Sequence, residues 1–199
     1  MWAFEKKALQ AGYRSVAGID EAGRGPLAGP VVSAAVILPP GFTASGVNDS
    51  KKLTPRKRDL MFDIIMDQAL AVSTGIATVE EIDDVNILKA SLLSMLRAAN
   101  GLCLKPDFLL IDGKFTIESS LPQQAVIKGD SKSISIAAAS IIAKVTRDRI
   151  MKKLHVQYPQ YGFDRHKGYP TALHKKAVME FGPCPVHRKT FKGVKEFLF

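Results

Sequence analysis

The chain has 199 residues, 46% of them hydrophobic, with 28 Lys and Arg against 19 Asp and Glu, four His and two Cys. That length and balance suit one globular domain, residues 1–199, with a sizeable core, and exclude a disordered, collagenous or disulfide-stapled chain. No apolar stretch nears the roughly 20 residues of a membrane span, the N-terminus has no basic-then-apolar leader, and Cys103 and Cys184 are too isolated for a zinc site. A cytoplasmic, monomeric protein that does not engage a membrane is expected.

The net charge of +9 is unevenly placed: residues 1–100 carry 11 bases and 11 acids, residues 101–199 carry 17 and 8. A basic half on a neutral half suits a polyanion such as nucleic acid, and equally a merely solvated basic surface. In chain order, Val16 to Asp20 reads as a buried strand closed by a carboxylate. Val31 to Leu38 reads as a second, stopped by Pro39-Pro40-Gly41. Thr54-Pro55 caps a helix running to about Ala69. Leu70 to Val79 alternates as a strand, and helices follow at 80–84 and 86–99, halted by Asn100-Gly101. Phe108 to Asp112 is another buried strand ending in Asp, and Ala125 to Ile127 a short last one. A long helix spans Ser131 to about His155, and Pro170 and Gly182-Pro183 bracket another. These elements make an α/β layered domain with a helical C-terminal part, about 150–199.

Gly23-Arg24-Gly25-Pro26-Leu27-Ala28 formally matches a dinucleotide fingerprint, but Pro26 and Pro30 lead into a strand, so no helix N-terminus would face a pyrophosphate. Gly129-Asp130-Ser131-Lys132-Ser133 lacks the glycine and Gly-Lys pair of a P-loop. Acids at strand ends are the stronger signal. If the strands of Asp20 and Asp112 run parallel and adjacent, both carboxylates emerge at one sheet edge, where open α/β folds place their sites. Glu21 would point to the opposite face unless the chain bends near Gly23 and Gly25. Asp130 precedes the long helix, and on the residues alone its first reading is an N-cap.

Clustered carboxylates without a His or Cys ligand pattern suit Mg²⁺ or Mn²⁺. Three or four of them could hold two ions roughly 3.5–4 Å apart for in-line displacement at phosphate. In a basic chain that implies hydrolysis of a nucleic-acid backbone. The four His (155, 166, 174 and 187) form no ligand pair and read as surface or phosphate-facing. Arg56 to Arg58 reads as a solvated helix face. Tyr169, between Gly168 and Pro170, could stack on a sugar or base or pack in the core.

Gly18 to Gly25 with Leu27 to Val31, Asn48 to Leu53, Ile111-Asp112-Gly113, Lys128 to Ser131 and His166 to Thr171 with His174 closely resemble bacterial ribonuclease HII, in that family's order over nearly the whole chain. The resemblance implies a ribonuclease H-like fold, a central mixed sheet flanked by helices whose C-terminal part completes the substrate groove. It implies an endoribonuclease that hydrolyses the RNA of RNA–DNA hybrids and cuts 5′ of single ribonucleotides in duplex DNA. Such cuts leave 3′-hydroxyl and 5′-phosphate ends and serve ribonucleotide excision repair and primer removal. It assigns Asp20, Glu21, Asp112 and Asp130 to two Mg²⁺ or Mn²⁺ ions, replacing the N-cap reading of Asp130. By the same resemblance Gly23, Arg24 and Gly25 read the ribonucleotide 2′-OH, Tyr169 stacks on the deoxyribose 3′ of it, and Lys51, Lys132 and Ser133 contact phosphates. The related ribonuclease HIII has an extra N-terminal domain, which is not expected here because the acid motif begins at residue 18. Nothing in the residues supports contact with a replication clamp. The rival readings are another metal-dependent nuclease of the same fold and a non-catalytic basic RNA-binding protein. Phe191 to Phe199 is expected to pack back on the domain.

Overall fold

The computed structural model describes residues 1–43 and 53–198. Lys51, with the rest of the Asn48–Lys52 run, lies outside the described residues.

The sheet is built from β1 (Val16–Ala22), β2 (Val31–Ile37), β3 (Ala71–Ala77), β4 (Phe108–Asp112) and β5 (Gln123–Val126), in the order β3-β2-β1-β4-β5. β2 runs antiparallel to β1 and β3, whereas β1, β4 and β5 are parallel, so the sheet is mixed. The helices are α1 (Ala3–Gln10), α2 (Pro55–Gln68), α3 (Val79–Val85), α4 (Ile87–Asn100), α5 (Ile134–Gln157), α6 (Phe163–His166) and α7 (Ala172–Phe181).

Both faces of the sheet are covered, which is why β2 reads as a continuous apolar run rather than an alternating one. Ala34 and Val36 meet α2 and α5 through Met61, Ile65 and Ala138. Ala35 and Ile37 turn the other way, joining Ala17, Ile19 and Ile111 against Met95 and Ala98 of α4. By the same alternation Asp20 stands on the α5 face. Among the described residues no helix is long and apolar enough to cross a membrane.

The helix starts follow their capping residues. Thr54 accepts from Lys57 N at 3.3 Å with Pro55 at the first position, and Thr78 and Glu81 form a reciprocal capping box. At α5 the cap is Ser133, whose side chain accepts from Ile136 N at 3.2 Å. Asp130 therefore does not cap that helix; it lies in a 3₁₀ turn, Gly129–Ser131.

Helix α1 has no counterpart in the sequence reading. It buries Ala8 against Val16, Leu110 and Ile136. Its Glu5 is only 2% exposed and accepts from Ser135 N at 3.1 Å and from the Ser133 and Ser135 hydroxyls. A carboxylate at the first turn of a 24-residue helix complements its orphan N–H groups and its dipole.

Close approach of α5 to β1 depends on Gly18: a Cβ there would lie 2.2 Å from the backbone carbon of Ser135. Overpacking against backbone cannot be relieved by a rotamer change, so Gly18→Ala should cost about 3 kcal/mol and lower the melting temperature by about 10 °C. Thermal denaturation checks this, and a variant melting within about 2 °C of wild type would contradict the packing.

Candidate active site

β1 and β4 bring the first two acids together. They pair in parallel as far as Ile19 with Ile111, so Asp20 and Asp112 follow side by side at the same edge. β1 continues to Ala22, so Asp20 is not the strand's last residue as the sequence reading had it. Beyond Ile19 there is no further pairing to β4, and the open flank leaves Glu21 access to the same space as Asp20 despite the alternation. Asp20, Glu21 and Asp112 line one cavity of about 290 Å³, together with Gly23, Arg24, Gly25 and Tyr169.

The carboxylates are held in distinct ways. Asp20 is 4% exposed and its Oδ1 accepts from Glu21 N at 2.7 Å. Asp112 Oδ1 accepts from Gly129 N at 2.6 Å, which ties the end of β4 to the turn carrying Asp130. Asp130 is buried one residue further on but does not line the cavity. Burial above all, then the charges of Glu21 and Asp112, pushes the Asp20 carboxyl well above its ordinary range, against hydrogen bonds from Ser140 and the Glu21 backbone. Burial likewise raises Glu21, opposed by Arg24, whose Nη1 stands 3.3 Å from Glu21 Oε1.

Among the described residues, no three His, Cys, Asp or Glu side chains converge closely enough to enclose a cation as they stand. The donor set nevertheless fits one kind of ion. It is all carboxylate oxygen, the preference of hard divalent cations, and carboxylates that raise one another's pKa are relieved by added positive charge.

The Gly23–Gly25 loop is shaped from beneath by two arginines that the sequence reading counted only as basic charge. Arg188 is fully buried and donates to Gly29 O from Nε at 3.0 Å, to Arg24 O from Nη1 at 3.0 Å and to Gly23 O from Nη2. Arg147, 1% exposed, donates to Pro30 O at 3.0 Å, Lys167 O at 3.0 Å and Ala28 O at 3.1 Å. Burial pushes Arg147 down to about 10, and burial with the neighbouring Arg147 charge pushes Arg188 to about 9, so both stay cationic at neutral pH. Gly23 has φ +105°, and a Cβ there would strike Arg147 Nε at 2.1 Å, so only glycine suits this turn.

Three further polar lining residues were not singled out as site residues: Arg58, Ser140 and Lys144. Arg58 faces the cavity rather than forming part of a solvated helix face. Ser140, Lys144 and Arg147 recur at helical spacing along α5, a polar stripe that the sequence does carry. Lys144 Nζ is held by Asp148 at 2.7 Å. Lys132 is exposed on the turn beside Asp130, outside the cavity lining. Ser133 is fully buried, its hydroxyl committed to Glu5 and to the α5 cap, so it offers no side chain to a phosphate. His174 and His187 are also fully buried rather than surface or phosphate-facing. Among the described residues the C-terminal stretch packs back as expected, with Val194 fully buried and Phe197 packed on the cluster that contains Phe163 and Val178.

Among solved structures, the ribonuclease H2 of Pyrococcus horikoshii matches with a TM-score of 0.77 and 30% identity, over 92% of this chain and 97% of that one. The ribonuclease HII of a PCNA:RNase HII complex from Archaeoglobus fulgidus matches at 0.75 and 26%, over 90% and 96%. The fold is thus the ribonuclease H-like fold, and the class is that of ribonuclease H endonucleases. Sequence narrows this further: the family model described as Ribonuclease HII matches residues 17–194. A Ribonuclease HII of Geobacter metallireducens is 57% identical over 196 residues, covering 98% of this chain and 92% of that protein. The chain belongs to the ribonuclease HII family. It is a hydrolase, a metal-dependent endoribonuclease directed at the RNA of RNA–DNA hybrids.

Proposed function

We propose that this protein also cuts duplex DNA on the 5′ side of a single embedded ribonucleotide, with two divalent cations, Mg²⁺ or Mn²⁺, held by Asp20, Glu21, Asp112 and Asp130. The observation that carries the reading is one cavity lined by three carboxylates, the Gly23–Gly25 loop and Tyr169. A scissile phosphate beside the acids would then lie within reach of both recognition elements.

Bound cations supply Lewis acidity and charge neutralisation for in-line displacement at phosphate. The chain's own residues do the rest. Asp20, Glu21 and Asp112 provide oxygen ligands from the cavity lining, and Asp130 from the turn that Gly129 N ties to Asp112. Exposed Arg24 and Gly25 present side chain and backbone to the ribose 2′-OH, the group that separates RNA from DNA. Tyr169, 42% exposed, offers a ring face to the following deoxyribose. Arg58 and Lys144 on the cavity wall suit phosphates, as does exposed Lys132 on the turn beside Asp130. A sliding clamp joins the proposed partners on the strength of the archaeal complex alone.

The test uses three labelled duplexes with Mg²⁺: a long hybrid, a DNA duplex with one ribonucleotide, and an all-DNA duplex. A single cut 5′ of the ribonucleotide, with the all-DNA duplex intact, is expected. Cutting of the hybrid alone would overturn the single-ribonucleotide reading, and cutting of all three would indicate a general nuclease.

A further inference from the structure

Two buried histidines link the tyrosine turn to the glycine loop. His174 Nδ1 lies 3.0 Å from Tyr169 O, and His174 Nε2 lies 3.0 Å from His187 Nε2. Cys184 N donates to His187 Nδ1 at 3.0 Å. His187 Nδ1 also lies 3.1 Å from Cys184 Sγ and 3.3 Å from Cys184 O, and the Cys184 amide, always a donor and the shortest of the three, sets the tautomers. His174 Nδ1 faces a carbonyl and must carry hydrogen, so in the neutral ring its Nε2 accepts. His187 Nδ1 accepts from an amide, so its Nε2 carries the hydrogen and donates to His174. Burial pushes both rings down to about 4, so the pair stays neutral at physiological pH.

The pair runs from the Tyr169 turn to the Ala28 segment just past the glycine loop, next to Arg188, whose guanidinium holds the Gly23 and Arg24 carbonyls. On one side, His174 fixes the Tyr169 carbonyl, and Tyr169 N bonds His166 O at 2.9 Å. On the other, His187 forms an antiparallel bridge with Ala28, flanked by Gly29 N to Val186 O and Arg188 N to Leu27 O, both 2.8 Å. Leu27 N also bonds Gly168 O at 2.8 Å, so the two segments are already adjacent. At the cavity, the Tyr169 ring carbon Cε1 would be 3.5 Å from a Cβ placed on Gly25.

We propose that His174 and His187 are positioning residues for ribonucleotide selectivity, their shared hydrogen bond setting where Tyr169 stands relative to the Gly23–Gly25 loop. This rests on the reading of Tyr169 as the group that stacks 3′ of the ribonucleotide. Neither histidine lines the catalytic cavity, so the effect falls on substrate choice rather than on hydrolysis itself. A long hybrid has no deoxyribose at that position and depends less on the link.

The experiment measures kcat/KM on the single-ribonucleotide duplex and on a long hybrid, using the full chain with Mg²⁺. His174→Leu is expected to lower the single-ribonucleotide to hybrid ratio roughly tenfold. His174→Asn keeps a donor for the Tyr169 carbonyl but leaves His187 Nε2 unpaired, so it is expected to restore only part of the ratio, and full restoration would overturn the role of the shared hydrogen bond. In a Tyr169→Ala background His174→Leu should change the ratio no further, because the two residues act as one unit. A His174→Leu effect that is equal on both substrates, or that persists undiminished without Tyr169, would overturn the proposal. If Tyr169→Ala alone leaves the ratio unchanged, the stacking reading itself fails. Long-range ¹H–¹⁵N NMR of the wild-type protein is independent of variant folding. It should find His174 protonated on Nδ1 and His187 on Nε2 near neutral pH; the same tautomer at both, or a charged ring, would contradict the link.

Discussion

Asp20→Asn is expected to abolish cleavage while making the metal-free protein harder to unfold. The activity loss follows from removing a negative oxygen ligand: several kcal/mol of transition-state stabilisation correspond to at least about a 10³-fold fall in turnover. The stability gain follows from the electrostatics. The Asp20 carboxyl is raised by burial and by the charges of Glu21 and Asp112. The native state therefore keeps its proton to higher pH than the unfolded chain does. Stability of the metal-free protein then falls as pH climbs from the ordinary carboxylate range through the raised value. Asparagine keeps the acceptor for Glu21 N but carries no charge. The variant should gain about 1 kcal/mol above neutral pH and show a flatter dependence of melting temperature on pH. Denaturation in chelator across pH 5 to about 9, beside turnover in Mg²⁺, checks both halves. Lower stability and lower activity together would indicate that Asp20 is structural.

Arg188→Met should be nearly as damaging, although Arg188 does not line the cavity. Its guanidinium satisfies the carbonyls of Gly23, Arg24 and Gly29, and methionine leaves buried acceptors unpaired at about 1–3 kcal/mol each. Part of that is offset because a buried cation is no longer carried, so a net loss of about 3 kcal/mol is expected. The larger effect is on the loop: displacement of a positioning element by about 1 Å can cost roughly 100-fold in rate. We expect kcat/KM on a single-ribonucleotide duplex to fall by about that factor well below the variant's melting temperature. Arg188→Lys should not rescue it, since one ammonium cannot reproduce a planar fork serving three carbonyls. Activity within about threefold of wild type would contradict the role of Arg188 in shaping the loop.

The acids were legible because a short apolar run ended by Asp and followed by small residues carries its own placement. Two such runs become a site once the strands pair in parallel, as β1 and β4 do. Glu21 was legible only with the condition that the chain bend; instead it stays paired with Ser33 in regular register and still lines the cavity, where β1 no longer pairs with β4. Helix α1 was not legible: its burial depends on Glu5 meeting Ser133 and Ser135, about 130 positions away, and a charged residue in a short helix reads as surface. Arg147 and Arg188 were hidden for the same reason. Their partners are backbone carbonyls, which any sequence carries, and all but Lys167, 20 positions from Arg147, lie 117 to 165 positions away. The histidine pair gave no ligand spacing because its function is to bond its own backbone and itself. Ser133 illustrates the opposite error, a polar residue beside the site whose hydroxyl is consumed by a helix cap.

On the proposed function, these carboxylates hold divalent cations against a ribonucleotide-containing duplex. The most direct measurement is Mn²⁺ uptake, by calorimetry or electron paramagnetic resonance, with wild type and Asp112→Asn, each with and without a non-cleavable single-ribonucleotide duplex. Wild type should take up two ions per chain when the duplex is bound, and Asp112→Asn should lose at least one while still binding the duplex. Equal uptake by the two proteins, or none by wild type with the duplex bound, would contradict the account.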